Sequence, residues 1–96
     1  MNRGFLYGDG FFETIRVING TIPLMQTHED RINDAFEIYQ LEPTFLVDEE
    51  FIRSIALSYK NDGIVRINFF RDGAGKYLPL SNEVAFDHSF TEYSQP

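Results

Sequence analysis

The stretch FFETIRVING, residues 11–20, decides the fold class that we expect for this chain. Alternate side chains of a strand point to opposite faces, so Phe11, Glu13, Ile15 and Val17 share one face. The other face carries Phe12, Thr14, Arg16 and Ile18. Asn-Gly at residues 19–20 is a strong hairpin signal, so the chain should return as a second strand over residues 21–25. Pro23 makes that strand short or places it at a sheet edge.

Two helices and two further strands should follow this hairpin. Thr27 is the expected cap of the first helix, with Asp30 as an acidic group near its positive end. Asp48 should cap the second helix, which Asp62-Gly63 would end. Residues 64–71 alternate as a strand, and residues 83–90 form the last strand. The order β-β-α-α-β-β predicts an α+β fold, a two-layer sandwich of an antiparallel sheet with two helices on one face.

Composition narrows the range of partners. The chain has 96 residues, which makes one domain at most, and its net charge is −7. This charge argues against nucleic acid and against an anionic membrane surface, since both attract basic proteins. Without cysteine there is no disulfide and no thiolate ligand or nucleophile. No apolar run approaches the roughly 20 residues of a membrane span, and the first residues lack a signal-peptide core, so we expect a cytoplasmic protein.

A glycine-rich loop precedes the first strand, with the sequence Tyr7-Gly8-Asp9-Gly10. Two glycines around an aspartate form a tight loop, and by itself such a loop is usually structural. It is not a P-loop, because no Gly-Lys-Ser/Thr follows. It is not a dinucleotide fingerprint either, because a strand follows it instead of a helix.

His28 and Arg31 lie three residues apart and should share one side of the first helix. One histidine with neighbouring acids matches no zinc signature, so we expect no metal and interpret His28 as a polar residue of the helix start. Arg31 has two interpretations. Its guanidinium can bind a phosphate through paired hydrogen bonds, or it can form a surface salt bridge with Asp30 or Asp34.

Arg66 lies in the middle of the predicted strand 64–71, on the same face as Asn68. A charge at this position must be solvated, paired or used to hold an anion, because burying it alone is costly. A solvent-facing sheet surface, which is common in antiparallel sheets, is the explanation that the residues alone favour. No serine has the context of a catalytic nucleophile, so the residues alone predict no catalytic group.

Taken together, these segments resemble a known family. The stretch NRGFLYGDGFFETIR, residues 2–16, is similar to the opening motif of class IV (fold type IV) aminotransferases, which depend on pyridoxal 5'-phosphate (PLP). That family includes branched-chain and D-amino-acid aminotransferases and aminodeoxychorismate lyase. The order continues with His28-x-x-Arg31, then Val65-Arg66, then the loop at residues 71–75. The resemblance covers residues 2–87.

The resemblance implies roles for four residues. Arg31 takes the position of the arginine that binds the cofactor phosphate. Tyr7 and Phe12 take positions that line the substrate side, and Arg66 takes that of an arginine that binds the substrate carboxylate in some members. The implied ligands are PLP and a small amino or keto acid, and the implied assembly is a homodimer.

The chain departs from the family in its lysines. The family's Schiff-base lysine lies in a second, larger domain, and neither Lys60 nor Lys76 matches it. Residues 1–96 are therefore expected to be a single N-terminal domain of such an enzyme, a fragment that is inactive and does not bind PLP by itself. The alternative is a non-catalytic module for protein interaction or dimerisation, with the aromatic residues as its contact surface.

Overall fold

An antiparallel sheet forms one layer of the computed structural model, which describes residues 10–71 and 83–93. Its strands are β1, Gly10–Val17; β2, Gly63–Arg71; and β3, Val84–Glu92, in the spatial order β1-β2-β3. In the register, Ile15 pairs with Val65, and Val65 pairs with Phe90. Paired residues share a face of a sheet, so this register aligns the apolar positions of all three strands.

Two helices form the second layer. They are α1, Met25–Ile38, and α2, Glu49–Ala56, which continues into a short 3-10 turn at Leu57–Tyr59. The predicted α+β class and the two helices are confirmed, but the order is β-α-α-β-β. The predicted second strand, 21–25, is wrong. Thr21 forms only an isolated bridge with Ile18, and Leu24 then adopts a left-handed conformation with φ 61° that turns the chain into α1.

Of the two predicted helix caps, one is wrong and one is confirmed. Helix α1 begins at Met25, so Thr27 is not its cap, and Leu24 at the cap position offers no side-chain hydrogen bond. The Asp48 cap is confirmed, because its Oδ1 accepts a 3.0 Å hydrogen bond from the Phe51 amide. Such a bond satisfies one of the amides that a helix start leaves without a partner.

Asp62 does not end a helix as predicted; it ties the hairpin turn to the start of β2. Its carboxylate oxygens accept hydrogen bonds from the amides of Asn19 at 2.6 Å and Gly20 at 3.1 Å. Asn19 and Gly20 both have positive φ, which a tight two-residue turn requires and which this pair of residues tolerates well.

The core lies between the sheet and the helices. Ile15, Val65 and Phe69 from the sheet are fully buried, as are Ile32 of α1 and Ile52 of α2. Each such side chain contributes about 1.5–3 kcal/mol relative to its exposed state. The opposite face of the sheet carries the alternate residues of each strand, and neither of the two described helices lies on it. No helix in the described ranges is long and apolar enough to cross a membrane.

Candidate functional site

A carboxylate is buried beneath helix α1. Glu13 lies on the helix-covered face of β1, with only 8% of its surface exposed. Its Oε2 atom is 2.6 Å from Nδ1 of His28, and it accepts hydrogen bonds from Nε of Arg31 at 3.2 Å and Nη2 at 2.5 Å. Two side chains of α1, His28 and Arg31, thus contact the same carboxylate oxygen. A buried carboxylate requires such partners, since its desolvation alone is very costly.

The position of this cluster follows from two simple periodicities. Glu13 belongs to the inward set of the strand, two residues from Phe11 and two from Ile15. His28 and Arg31 are three residues apart on α1, and the prediction that they share one side is confirmed. No motif of the sequence indicated a role for Glu13. The one indication in the sequence is that Glu13 is an acid on the apolar face of a strand. A buried acid needs a cation or a hydrogen-bond donor nearby.

His28 lies in the first turn of α1, as expected, but it is buried rather than solvated, with 6% of its surface exposed. Glu13 holds its Nδ1 atom, so Nε2 is the ring nitrogen left for any other contact. In residues 10–71 and 83–93, no three of the histidine and acidic side chains are grouped to hold a metal ion.

Arg31 does not form the predicted surface salt bridge with Asp30 or Asp34. Its ionic partner is Glu13, while Asp30 accepts a 2.9 Å hydrogen bond from Gln26. The Arg31 side chain is nevertheless 60% exposed, and its Nη1 atom makes no hydrogen bond within the described ranges. A guanidinium that is oriented on one side and open on the other fits a phosphate, which prefers a fixed pair of N–H donors.

A second group lies on the open face of the sheet. The guanidinium carbon of Arg66 is 3.8 Å from the centre of the Phe12 ring, an arrangement typical of cation–π contact. Nε of Arg66 also donates to Oδ1 of Asn68 at 3.2 Å, and Asn68 donates to Asp87 on β3 at 2.6 Å. The prediction that Arg66 and Asn68 share a face is confirmed. Arg66 is solvated and paired, and its side chain is fixed in direction.

The structure therefore brings Phe12 and Arg66 together, and it separates them from Arg31. Phe12 and Glu13 are neighbours in β1, so their side chains leave the strand on opposite faces. Arg31 contacts Glu13 on the covered face, whereas Arg66 lies over Phe12 on the open face. Tyr7 and the loop after Arg71 lie outside the described residues.

The sheet with two helices on one face matches one part of the class IV PLP fold, its N-terminal domain, and the resemblance predicted from the opening motif is confirmed. The chain matches no protein-family model.

Two of the solved structures that share this fold are a 4-amino-4-deoxychorismate lyase and a protein assigned as one. The chain superposes on a protein from Legionella pneumophila subsp. pneumophila str. Philadelphia 1, assigned as such a lyase, with a TM-score of 0.71 and 18% identity, over 94% of this chain and 35% of that one. For the lyase from Pseudomonas aeruginosa, the TM-score is 0.65 and the identity 26%, over 98% of this chain and 34% of that one. The chain thus spans about a third of the length of either protein.

Proposed function

We propose that this chain forms the N-terminal part of a PLP-dependent enzyme, a 4-amino-4-deoxychorismate lyase or a class IV aminotransferase. The likeness to two proteins of solved structure over at least 94% of the chain is the observation that supports this proposal most directly. One of those proteins is a 4-amino-4-deoxychorismate lyase and the other is assigned as one, so lyase activity is the first choice. In this proposal, residues 1–96 are one domain and a larger second domain carries the lysine that binds PLP.

Arg31 is the residue that we assign to the cofactor phosphate. Its two hydrogen bonds to Oε2 of Glu13 fix the plane of the guanidinium, and its exposed edge keeps N–H groups for a ligand. Because Glu13 already offsets one positive charge, Arg31 contributes mainly direction: paired N–H donors that match the oxygens of a phosphate. Glu13 acts through Arg31 and is a positioning residue.

The open face is assigned to the substrate. When bound, PLP supplies an electron sink for the amino-acid carbon that reacts. Arg66 would bind a carboxylate of the amino acid, the keto acid or the amino-chorismate, in a direction that Asn68 fixes. Phe12 would form an apolar wall beside it, and we assign Tyr7 to the same side. A wall of this kind keeps water from the reacting atoms.

Cofactor retention by the complete protein tests the assignment of Arg31. The Arg31→Gln variant should bind PLP about 10- to 100-fold more weakly, since it loses charge-assisted hydrogen bonds. PLP content after dialysis, read from the absorbance of the bound cofactor, measures this loss. Arg53→Gln is the matched control, because it removes the same charge from an exposed pair with Glu49 on α2. Equal retention in both variants would refute the assignment.

Side-by-side assays decide the reaction. The purified complete protein is given 4-amino-4-deoxychorismate in one series and pairs of amino and keto acids in another. The expected result is turnover of the chorismate derivative, with slow or no transamination. If transamination is the only activity found, the protein is a class IV aminotransferase and not a lyase. Absence of both activities in a protein that holds PLP would refute the proposed function.

A further inference from the structure

A cavity of about 350 Å³ lies beside the buried cluster. Three segments form its walls: β1, the turn that leads into α1 together with the first turn of α1, and the start of β2. The lining residues are Thr14, Arg16, Pro23, Leu24, His28 and Ile64. These walls include His28 but not Arg31, although both side chains bond Glu13. The cavity is therefore distinct from the site that we assign to the PLP phosphate.

Three polar groups of different chemistry line this space. Arg16 and Thr14 lie two residues apart on the open face of β1, and within residues 10–71 and 83–93 neither side chain has a hydrogen bond or an ion pair. His28 is buried and contributes to the wall, with Glu13 fixing its ring through Nδ1. Nε2 is thus the atom of His28 that a ligand in the cavity can use. A guanidinium, a hydroxyl and a fixed imidazole nitrogen form a set of groups suited to an oxyanion.

The start of α1 adds to the positive character of the cavity. Pro23 and Leu24 lie in its wall, and Leu24 provides no side-chain cap for the helix. The first amides of this 14-residue helix therefore carry the positive end of the helix dipole toward the same region. The helix end strengthens a site that Arg16 and His28 already define.

We propose that this cavity binds the phosphate group of a small molecule. Arg16 donates paired hydrogen bonds to two phosphate oxygens, and Thr14 donates one more. Because Nδ1 of His28 faces the Glu13 carboxylate, Nε2 is the ring nitrogen that a ligand oxygen can approach. A phosphate offers these groups three oxygens and up to two negative charges, whereas a carboxylate offers two oxygens and one charge. The site therefore prefers phosphate to carboxylate, independently of whether the protein uses PLP.

The two histidines of the chain make the test specific. The ring resonances of His28 and His88 are followed by NMR while sodium phosphate is added to the 96-residue chain, at constant pH and ionic strength. His28 should shift with saturation, and His88, which pairs with Tyr59 on the other edge of the sheet, should not. Sodium acetate in place of phosphate should bind at least about tenfold more weakly.

Substitutions locate the site and can overturn it. Arg16→Gln should weaken phosphate binding about tenfold or more, and Thr14→Val should weaken it by a smaller factor. Arg53→Gln, an equal change of charge on α2, should leave the affinity unchanged. The proposal is wrong if His28 and His88 shift together without saturation, if acetate binds as well as phosphate, or if Arg16→Gln binds phosphate like the parent chain. None of these results bears on Arg31 and PLP.

Discussion

Oε2 of Glu13 lies 2.6 Å from Nδ1 of His28, fifteen residues further along the chain, and both side chains are buried. This contact joins the first strand to the first helix with a polar bond inside an otherwise apolar layer. The same oxygen accepts the two hydrogen bonds of Arg31. Glu13 therefore links the packing of the fold to the direction of the arginine that we assign to the cofactor.

Replacing Glu13 with alanine should destabilise the fold by about 2–4 kcal/mol, since it leaves the buried histidine and the arginine without their acceptor. Urea denaturation of the 96-residue chain measures the change in the free energy of unfolding. Glu49→Ala is the control, because its pair with Arg53 is exposed and should contribute less than about 1 kcal/mol. Similar losses for Glu13→Ala and Glu49→Ala would show that the buried contact adds nothing to stability.

In the complete enzyme, Arg66→Ala should raise KM for the substrate and leave PLP content unchanged. Arg66 lies over Phe12 on the open face, away from Arg31, so its loss removes binding of the substrate and not of the cofactor. One lost charge-assisted hydrogen bond corresponds to about a 10- to 100-fold change in KM. Steady-state kinetics and cofactor absorbance measure the two effects separately. An unchanged KM would leave Arg66 as part of a solvated sheet surface.

Alkaline pH should weaken the fold through Tyr59. Burial raises the pKa of its hydroxyl above the ordinary value of 10.0, and this hydroxyl pairs with Nδ1 of His88 at 2.6 Å. A raised pKa of an acid means that the folded state favours the neutral form. The stability that the neutral Tyr59 hydroxyl contributes is therefore fully present below pH 10. It is lost as the pH rises through the pKa of Tyr59 in the folded state.

Comparison with Tyr59→Phe isolates this contribution. At neutral pH the parent chain should be the more stable by about 1 kcal/mol, the usual value of one hydrogen bond. This advantage should shrink above pH 10, in urea denaturation series recorded from pH 8 to pH 11. Tyr39→Phe provides the reference for general alkaline effects, because it also removes one phenol and keeps the ring that stacks on Phe11. A stability difference for Tyr59→Phe that does not change with pH would contradict the prediction.

The 96-residue chain should self-associate. Ile38 and Leu46 expose 75% and 72% of their surfaces, and Leu46 follows Phe45, which stacks on Phe51 and contacts Phe86. Apolar surface of this kind commonly marks an interface, as the homodimer implied by the family resemblance would require. Light scattering over a concentration series should show a rising mean mass, and Leu46→Ser with Ile38→Ser should reduce it. A monomer at all concentrations would exclude these residues from an interface.

The sequence predicted those parts of the fold that depend on periodicity. The alternation in residues 11–18 and 64–71 determined which residues of β1 and β2 face the helices, and the pair His28 and Arg31 followed from helical spacing. The start of α1 was missed, because the left-handed conformation of Leu24 arises from the path of the chain and not from a residue preference.

The candidate site was only partly predictable, for a related reason. Arg31, Phe12 and Arg66 came from the resemblance to a family, whereas Glu13 depends on a contact between a strand and a helix. The role of Asp62 was missed because its partners, Asn19 and Gly20, are distant in sequence. An acid next to glycine looks like a local turn signal, and nothing in the sequence indicates that its oxygens serve another turn.

The bond between Asp62 and Asn19 spans 43 residues, a segment that contains both helices. Strand β1 can join β2 only after this long loop has closed, whereas β2 and β3 are near neighbours in the chain. Closing the loop costs conformational entropy before any native contact stabilises the chain. Non-local strand pairing is therefore the slow step of folding. The helices and the β2–β3 pair should form first and β1 should dock last. Amide hydrogen exchange would then show β1 losing its protection before β2 does, and equal protection would contradict this order.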